Sequence, residues 1–98
     1  GQGVEEAEIA VEGIKVHKDN IRILSPDKNP TLKIMLPNGI NFMKFRSSEE
    51  EYNKLYSELG YVTINIVGEC ERNIWNNKIS PQVMIKDYEI VDRAAYYF

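Results

Sequence analysis

"TLKIMLPNGINFMKFRSSEEEYNKLYSELG", Thr31 to Gly60, decides how this chain folds. Its first six residues alternate, with Leu32, Ile34 and Leu36 on one face and Thr31, Lys33 and Met35 on the other. That two-residue period belongs to a strand. Pro37-Asn38-Gly39 follows, and Asn-Gly is the strongest short hairpin signal, because both residues tolerate the positive φ of a tight turn. Ile40 to Arg46 returns as the partner strand. Ser48-Glu49-Glu50-Glu51 then reads as a capping box, with Ser48 at the N-cap and the third glutamate reaching back to it. The three carboxylates sit in the first turn, where the helix dipole favours negative charge. Tyr52, Leu55, Tyr56 and Leu59 follow at i, i+3, i+4 and i+7, one apolar face. Gly60 supplies the left-handed residue that ends a helix of about three turns.

Working outward, the rest reads as strand. Ile21 to Ser25 pairs with Thr31 to Leu36 across the turn Pro26-Asp27-Lys28-Asn29-Pro30, and Glu8 to Val16 is a further extended segment. Tyr61 to Cys70 alternates, with Val62, Ile64, Ile66, Gly68 and Cys70 sharing a face. On that parity Cys70 reads as a small buried hydrophobe. Pro81 to Val91 is the last strand, with Val83 and Ile85 inward. Between them "CERNIWNNK", Cys70 to Lys78, reads as a polar, Asn-rich loop that holds the only tryptophan. A single helix between the third and fourth of five short strands predicts a mainly β fold, a five-stranded OB-fold barrel with an extra N-terminal strand. In that frame the Trp75 loop joins strands four and five and borders the usual ligand groove.

Composition bounds the function. The chain has 98 residues, enough for one domain, with 43% hydrophobic and 28% charged residues, an ordinary globular balance. No apolar run approaches the ~20 residues of a membrane helix. One cysteine excludes an internal disulfide and fits a reducing compartment. A formal charge of −3 counts against a free-standing nucleic-acid binder, though a local patch can still be basic. The chain starts at Gly1 without a methionine and ends on Tyr96-Tyr97-Phe98, which reads as a piece of a longer protein.

Asn73-Ile74-Trp75-Asn76-Asn77, then Pro81-Gln82, then Ile85-Lys86-Asp87, together with the hairpin and the capped helix, resembles the OB-fold domain of RecJ-type single-stranded-DNA-specific exonucleases. The family run is Asn-x-Trp-Asn-Gly followed by Pro-Gln and a strand with an acidic residue. Here Asn77 stands where the family has Gly, and Asn also accepts a left-handed turn. The resemblance covers roughly residues 9–91, so residues 1–98 are expected to form one domain excised from a larger exonuclease. It implies a bacterial cytoplasmic enzyme that degrades single strands from the five-prime end. The DHH-type catalytic core and its divalent metal, manganese or magnesium, would lie in another domain, and no cofactor is expected in this one. The implied role is an accessory module that helps hold single-stranded DNA. The alternative is a structural or protein-interaction module that buttresses the nuclease core or docks a partner such as a single-strand-binding protein.

Candidate site residues follow from the same frame. The lone His17 has no second ligand at metal spacing, and no nucleophile–base pair is visible. The family pattern places Met43 and Phe45 inside the barrel. That leaves Phe42 and Lys44 on the outer face beside Lys33 and Met35, where a ring could stack on a base and cations could follow phosphates. The other reading of Phe42 packs it under the N-terminal strand or against the parent protein. Arg72, Trp75, Lys78 and Lys86 complete the expected nucleic-acid-binding set. For Trp75 two roles stay open, stacking on a base or capping the barrel mouth. A groove that gathers Lys33, Lys44, Arg72, Lys78 and Lys86 would favour DNA binding. Dispersal among glutamates would favour the structural reading.

Overall fold

A computed structural model describes residues 8–75 and 77–95; at 72–75, 78–80 and 95 it describes the backbone only. Among the described residues seven elements follow one another: β1 (Glu8–Val16), β2 (Ile21–Leu24), β3 (Thr31–Met35), β4 (Asn41–Lys44), α1 (Glu49–Leu55), β5 (Gly60–Trp75) and β6 (Lys78–Ala95). The strands make one six-stranded sheet in the order β1-β5-β6-β4-β3-β2. All neighbours are antiparallel except β4 and β6, which run parallel across the helix connection. The described helix is not long and apolar enough to cross a membrane.

β1 and β2 lie at opposite edges of the sheet, yet only residues 17–20 join them. Those four residues form a turn, with the Asn20 N–H donating to the His17 carbonyl at 3.1 Å. A turn of this kind keeps its ends within about 7 Å. Six flat strands would hold the edges about 24 Å apart, five spacings of about 4.8 Å. The sheet must therefore curl on itself. Asn20 fixes the bend: its side chain accepts from the His17 N–H and donates to the Lys15 carbonyl, both at 2.8 Å. Its own carbonyl accepts from the Met35 N–H at 2.8 Å.

Inside the curl sit Val16, Ile21, Leu32, Ile34, Phe42, Val62, Ile64, Ile66 and Val83, each at most 4% exposed. They are almost all β-branched or aromatic residues, the types that pack best on a pleated surface. The helix adds Leu55 to this core. Its capping box is present as expected, with the Glu51 N–H donating to Ser48 Oγ at 3.2 Å and the Ser48 N–H to Glu51 Oε2 at 3.3 Å.

The structure corrects several expectations. All six extended segments are strands, but they form a single curled six-stranded sheet whose edges are not paired among the described residues. A closed five-stranded barrel with an added strand is not what the structure shows. The helix is seven residues long and stops at the C-cap Tyr56. The chain is then taken up by tertiary contacts, since the Ser57 carbonyl accepts from the Lys18 N–H. Leu59 is consequently 68% exposed, and Gly60 opens β5 instead of closing the helix.

The stretch Cys70–Lys78 is a β-hairpin, not a loop. β5 and β6 stay in register from Cys70↔Val83 to Trp75↔Lys78. Asn77 takes the left-handed conformation at φ 64°, as the turn residue there must. Cys70 has the inward parity but is exposed.

The largest correction concerns β4. Phe42 is in the core at 2% exposure, and Phe45 is 60% exposed, the reverse of the expectation. The cause is the length of the turn. The Leu36 N–H donates to the Ile40 carbonyl at 3.0 Å, which makes Pro37-Asn38-Gly39 a three-residue loop with Gly39 at φ 89°. Ile34 then faces Phe42, and Lys33 faces Met43. A two-residue Asn38-Gly39 loop would have set Ile34 against Met43. One residue of slip turns every side chain of a strand to the other face.

Candidate nucleic-acid interface

Strand register assembles the outer face of the sheet. One row across it reads Arg22, Lys33, Met43, Met84, Glu69 and Glu8, each opposite the next on the neighbouring strand. The adjacent row reads Met35, Asn41, Gln82 and Glu71. The chain has three methionines, and all three stand in these rows. Each is half-buried, and none enters the core. Methionine usually serves as a pliable core filler or as soft surface for adaptable contacts. Here the second use fits.

Charge is graded along the face. Lys33 has no ion pair among the described residues. The Arg22 guanidinium turns to the carbonyls of Ile21 and Lys18, at 2.8 and 3.3 Å, with no carboxylate partner among the described residues. At the other end stand Glu69 and Glu71. Between them Gln82 donates to the Met84 thioether at 3.3 Å and to Glu71 at 3.5 Å. The β2–β3 side is thus cationic, the middle is soft and apolar, and the β5 side is acidic.

The eight residues expected to bind nucleic acid separate accordingly. Lys33 and Met35 lie on this face. Phe42 is a core residue. Lys44 has the core parity, opposite Leu32 at the end of β4, and its ammonium meets Glu51 at 3.2 Å in a half-buried ion pair. Tyr88 donates to the same carboxylate at 2.9 Å. Burial alone would raise the Glu51 carboxyl, but hydrogen bonds from Tyr88 and Lys44 and the lysine charge hold it below its ordinary range. Burial, with the Glu51 bond second, pushes the Tyr88 phenol up to about 12.

Lys86 is the residue added where β6 shifts register against Val67 and Gly68. Its ammonium lies 3.0 Å from Glu69 and 3.2 Å from Glu8, and these two partners raise its pKa. Arg72, Trp75 and Lys78 stand on the β5–β6 hairpin, with Trp75 opposite Lys78. Their side chains, and with them the choice between the two roles of Trp75, lie outside the described residues, as do Tyr96, Tyr97 and Phe98. The five expected cations therefore do not gather in one described groove, and two of them are held by glutamates.

Sequence reasoning missed Arg22, Asn41, Met43, Gln82 and Met84. Counting three residues in the Pro37-Asn38-Gly39 loop would have found Met43, since that count alone fixes which parity of β4 faces out. His17 accepts the Asp19 N–H on Nδ1 at 3.2 Å inside the turn. Among the described residues no group of three or more His, Cys, Asp or Glu is placed to hold a metal ion.

The expected resemblance is borne out by comparison with known proteins. Over 91 residues, 93% of its length, the chain is 30% identical to a provisionally named SPbeta prophage-derived single-strand DNA-specific exonuclease, YorK, of Bacillus subtilis (strain 168). It matches the corresponding YorK protein of Bacillus phage SPbeta to the same extent. The chain spans 16% of the length of these relatives. No family model and no solved structure matches it. The chain is thus similar, over nearly all its length, to a small segment of proteins named single-strand DNA-specific exonucleases.

Proposed function

We propose that this chain is an accessory OB-type module of a RecJ-like 5′–3′ single-stranded DNA exonuclease. It binds and positions the single strand, while hydrolysis and the divalent metal of a DHH-type core reside elsewhere in the longer protein. The observation that carries this reading is the outer face of β2, β3, β4 and β6. There two cations without carboxylate partners among the described residues, Arg22 and Lys33, border three methionines on a continuous sheet. Phosphates can follow the cations while bases lie on the soft thioether surface. Topology supports the OB assignment. The sheet curls until β1 and β2 meet at a short bend, β4 and β6 are parallel, and one helix lies between them in sequence. An OB-fold is likewise a partly open barrel of short strands.

The second reading is a module that buttresses the nuclease core. The observation in its favour is that Lys44 and Lys86 are neutralised by Glu51, Glu8 and Glu69. Titration with a short single-stranded oligonucleotide at low salt, followed through the single tryptophan, separates the two. The binding reading expects a fluorescence change that fades as salt rises, because phosphate contacts release counterions. A chain that binds no oligonucleotide at any salt, by fluorescence or by calorimetry, supports the buttress.

A further inference from the structure

The segment between β4 and α1 carries an aromatic and a guanidinium side chain on adjoining, exposed residues of a held bend. Phe45 is 60% exposed, and the adjoining Arg46 is exposed as well. Neither side chain has a hydrogen bond or ion pair among the described residues. Arg46 adopts φ 56°, the left-handed region where glycine or asparagine sits at lower cost. A strained residue that keeps a long cationic side chain marks a position where the side chain has a use.

The bend is held from both ends. Ser47, 5% exposed, donates its N–H to the Pro30 carbonyl at 2.9 Å and its hydroxyl to the Lys44 carbonyl at 2.8 Å. Before the bend, β4 is fixed against β3 and β6. After it, Ser48 is locked in the capping box of α1. Phe45 follows Met43 by two residues and stands just past the end of β4. An exposed ring on a preorganised bend loses little entropy when a flat partner lies on it.

We infer that Phe45 and Arg46 form a clip for single-stranded nucleic acid, with the Phe45 ring stacking on a base and the Arg46 guanidinium pairing with a neighbouring phosphate. This rests on the DNA-binding reading above and adds the contact that the methionines do not supply, a flat ring for a base. Stacking of this kind is tolerant of sequence, since every base has a π-face. The clip therefore grips a strand without choosing among bases.

The test uses the whole chain and a fluorescently labelled oligothymidylate, with anisotropy read over a salt series and thermal melts in parallel. Phe45→Ala weakens binding by about 5- to 150-fold, the loss of one base stack, and leaves the salt slope unchanged. Phe45→Tyr restores affinity. Arg46→Gly relieves the backbone, so its Tm equals or exceeds that of the parent, while the slope of log K against log salt falls by about 0.7, one phosphate contact on a single strand. If the parent binds and both variants match it in affinity and slope, the clip is wrong and the DNA-binding module stands without it. If the parent does not bind the oligonucleotide at any salt, the function proposed above fails, and the clip falls with it.

Discussion

The two faces of the β3–β4 hairpin are both apolar in composition, yet they are built from different kinds of residue. Inward stand Leu32, Ile34 and Phe42, between 0 and 2% exposed. Outward stand Lys33, Met35 and Met43. The inner set has few rotamers and fixed shapes, so it defines one packing arrangement. The outer set is unbranched, pliable or cationic, so it can adapt to a partner. One hairpin thus carries the fold on one side and the proposed ligand surface on the other. The difference cannot be read from hydrophobicity alone; it lies in side-chain stiffness and in the register that assigns each residue to its side.

Substitutions can break that contrast. Phe42→Ala removes the largest fully buried side chain among the described residues and leaves a cavity between Ile34 and Val83. It should cost about 3–5 kcal/mol, read as a fall in the urea midpoint. A loss under about 1 kcal/mol would mean that the Phe42 face is not the core face. Gly68→Ala tests the far side of the same core. An added Cβ would collide with the Met84 carbonyl oxygen and lie 2.9 Å from Val83 Cγ1. We expect a loss of about 1–3 kcal/mol, since backbone must shift to make room.

Glu51→Gln sharpens the contrast between cations that serve the fold and cations left for a ligand. Glu51 links the cap of α1 to Lys44 on β4 and Tyr88 on β6. Loss of these charge-assisted bonds should cost about 1–2 kcal/mol by denaturant titration. The carboxyl is held below its unfolded value near 4.5, so its stabilisation is present above that pH and is lost as pH falls through the folded value. Tyr88 works at the other extreme. Its neutral form is favoured up to about 12, so the stability it adds is lost as pH rises from its unfolded value near 10 toward 12. Thermal melts across pH 3–5 should show a drop in the parent that is smaller in Glu51→Gln. An equal drop in both would remove Glu51 from the acid limb.

The smallest effect belongs to the outer face. Met43→Ala should change stability by no more than about 0.5–1 kcal/mol, because the site is half-buried and leaves no closed cavity. A cost close to that of Phe42→Ala would show that the methionine row is structural.

Much of the fold was legible because the patterns were unambiguous. β5 alternates strictly through Val62, Ile64, Ile66 and Gly68, so only one face could be buried. Ser48 and Glu51 marked the start of the helix by their spacing. β4 is ambiguous because each parity carries an aromatic ring, Phe42 on one and Phe45 on the other, and the family pattern assigns the second to the inside. A turn one residue longer than Asn-Gly alone then decided between them. The hairpin beyond Cys70 was hidden by its polar residues, which carry no alternating apolar signal. The ion pair of Lys86 with Glu8 joins residues 78 positions apart, and no local pattern reports such a contact.

The most direct test of the outer face uses its own methionines. Labelling the three methionine methyl groups with carbon-13 gives three signals, all from the proposed ligand surface. On addition of a short single-stranded oligonucleotide at low salt, all three should shift together and return toward their free positions as salt rises. If the oligonucleotide binds while the three signals stay fixed, the strand lies elsewhere on the molecule, and the outer face of β3–β4 is not its binding surface.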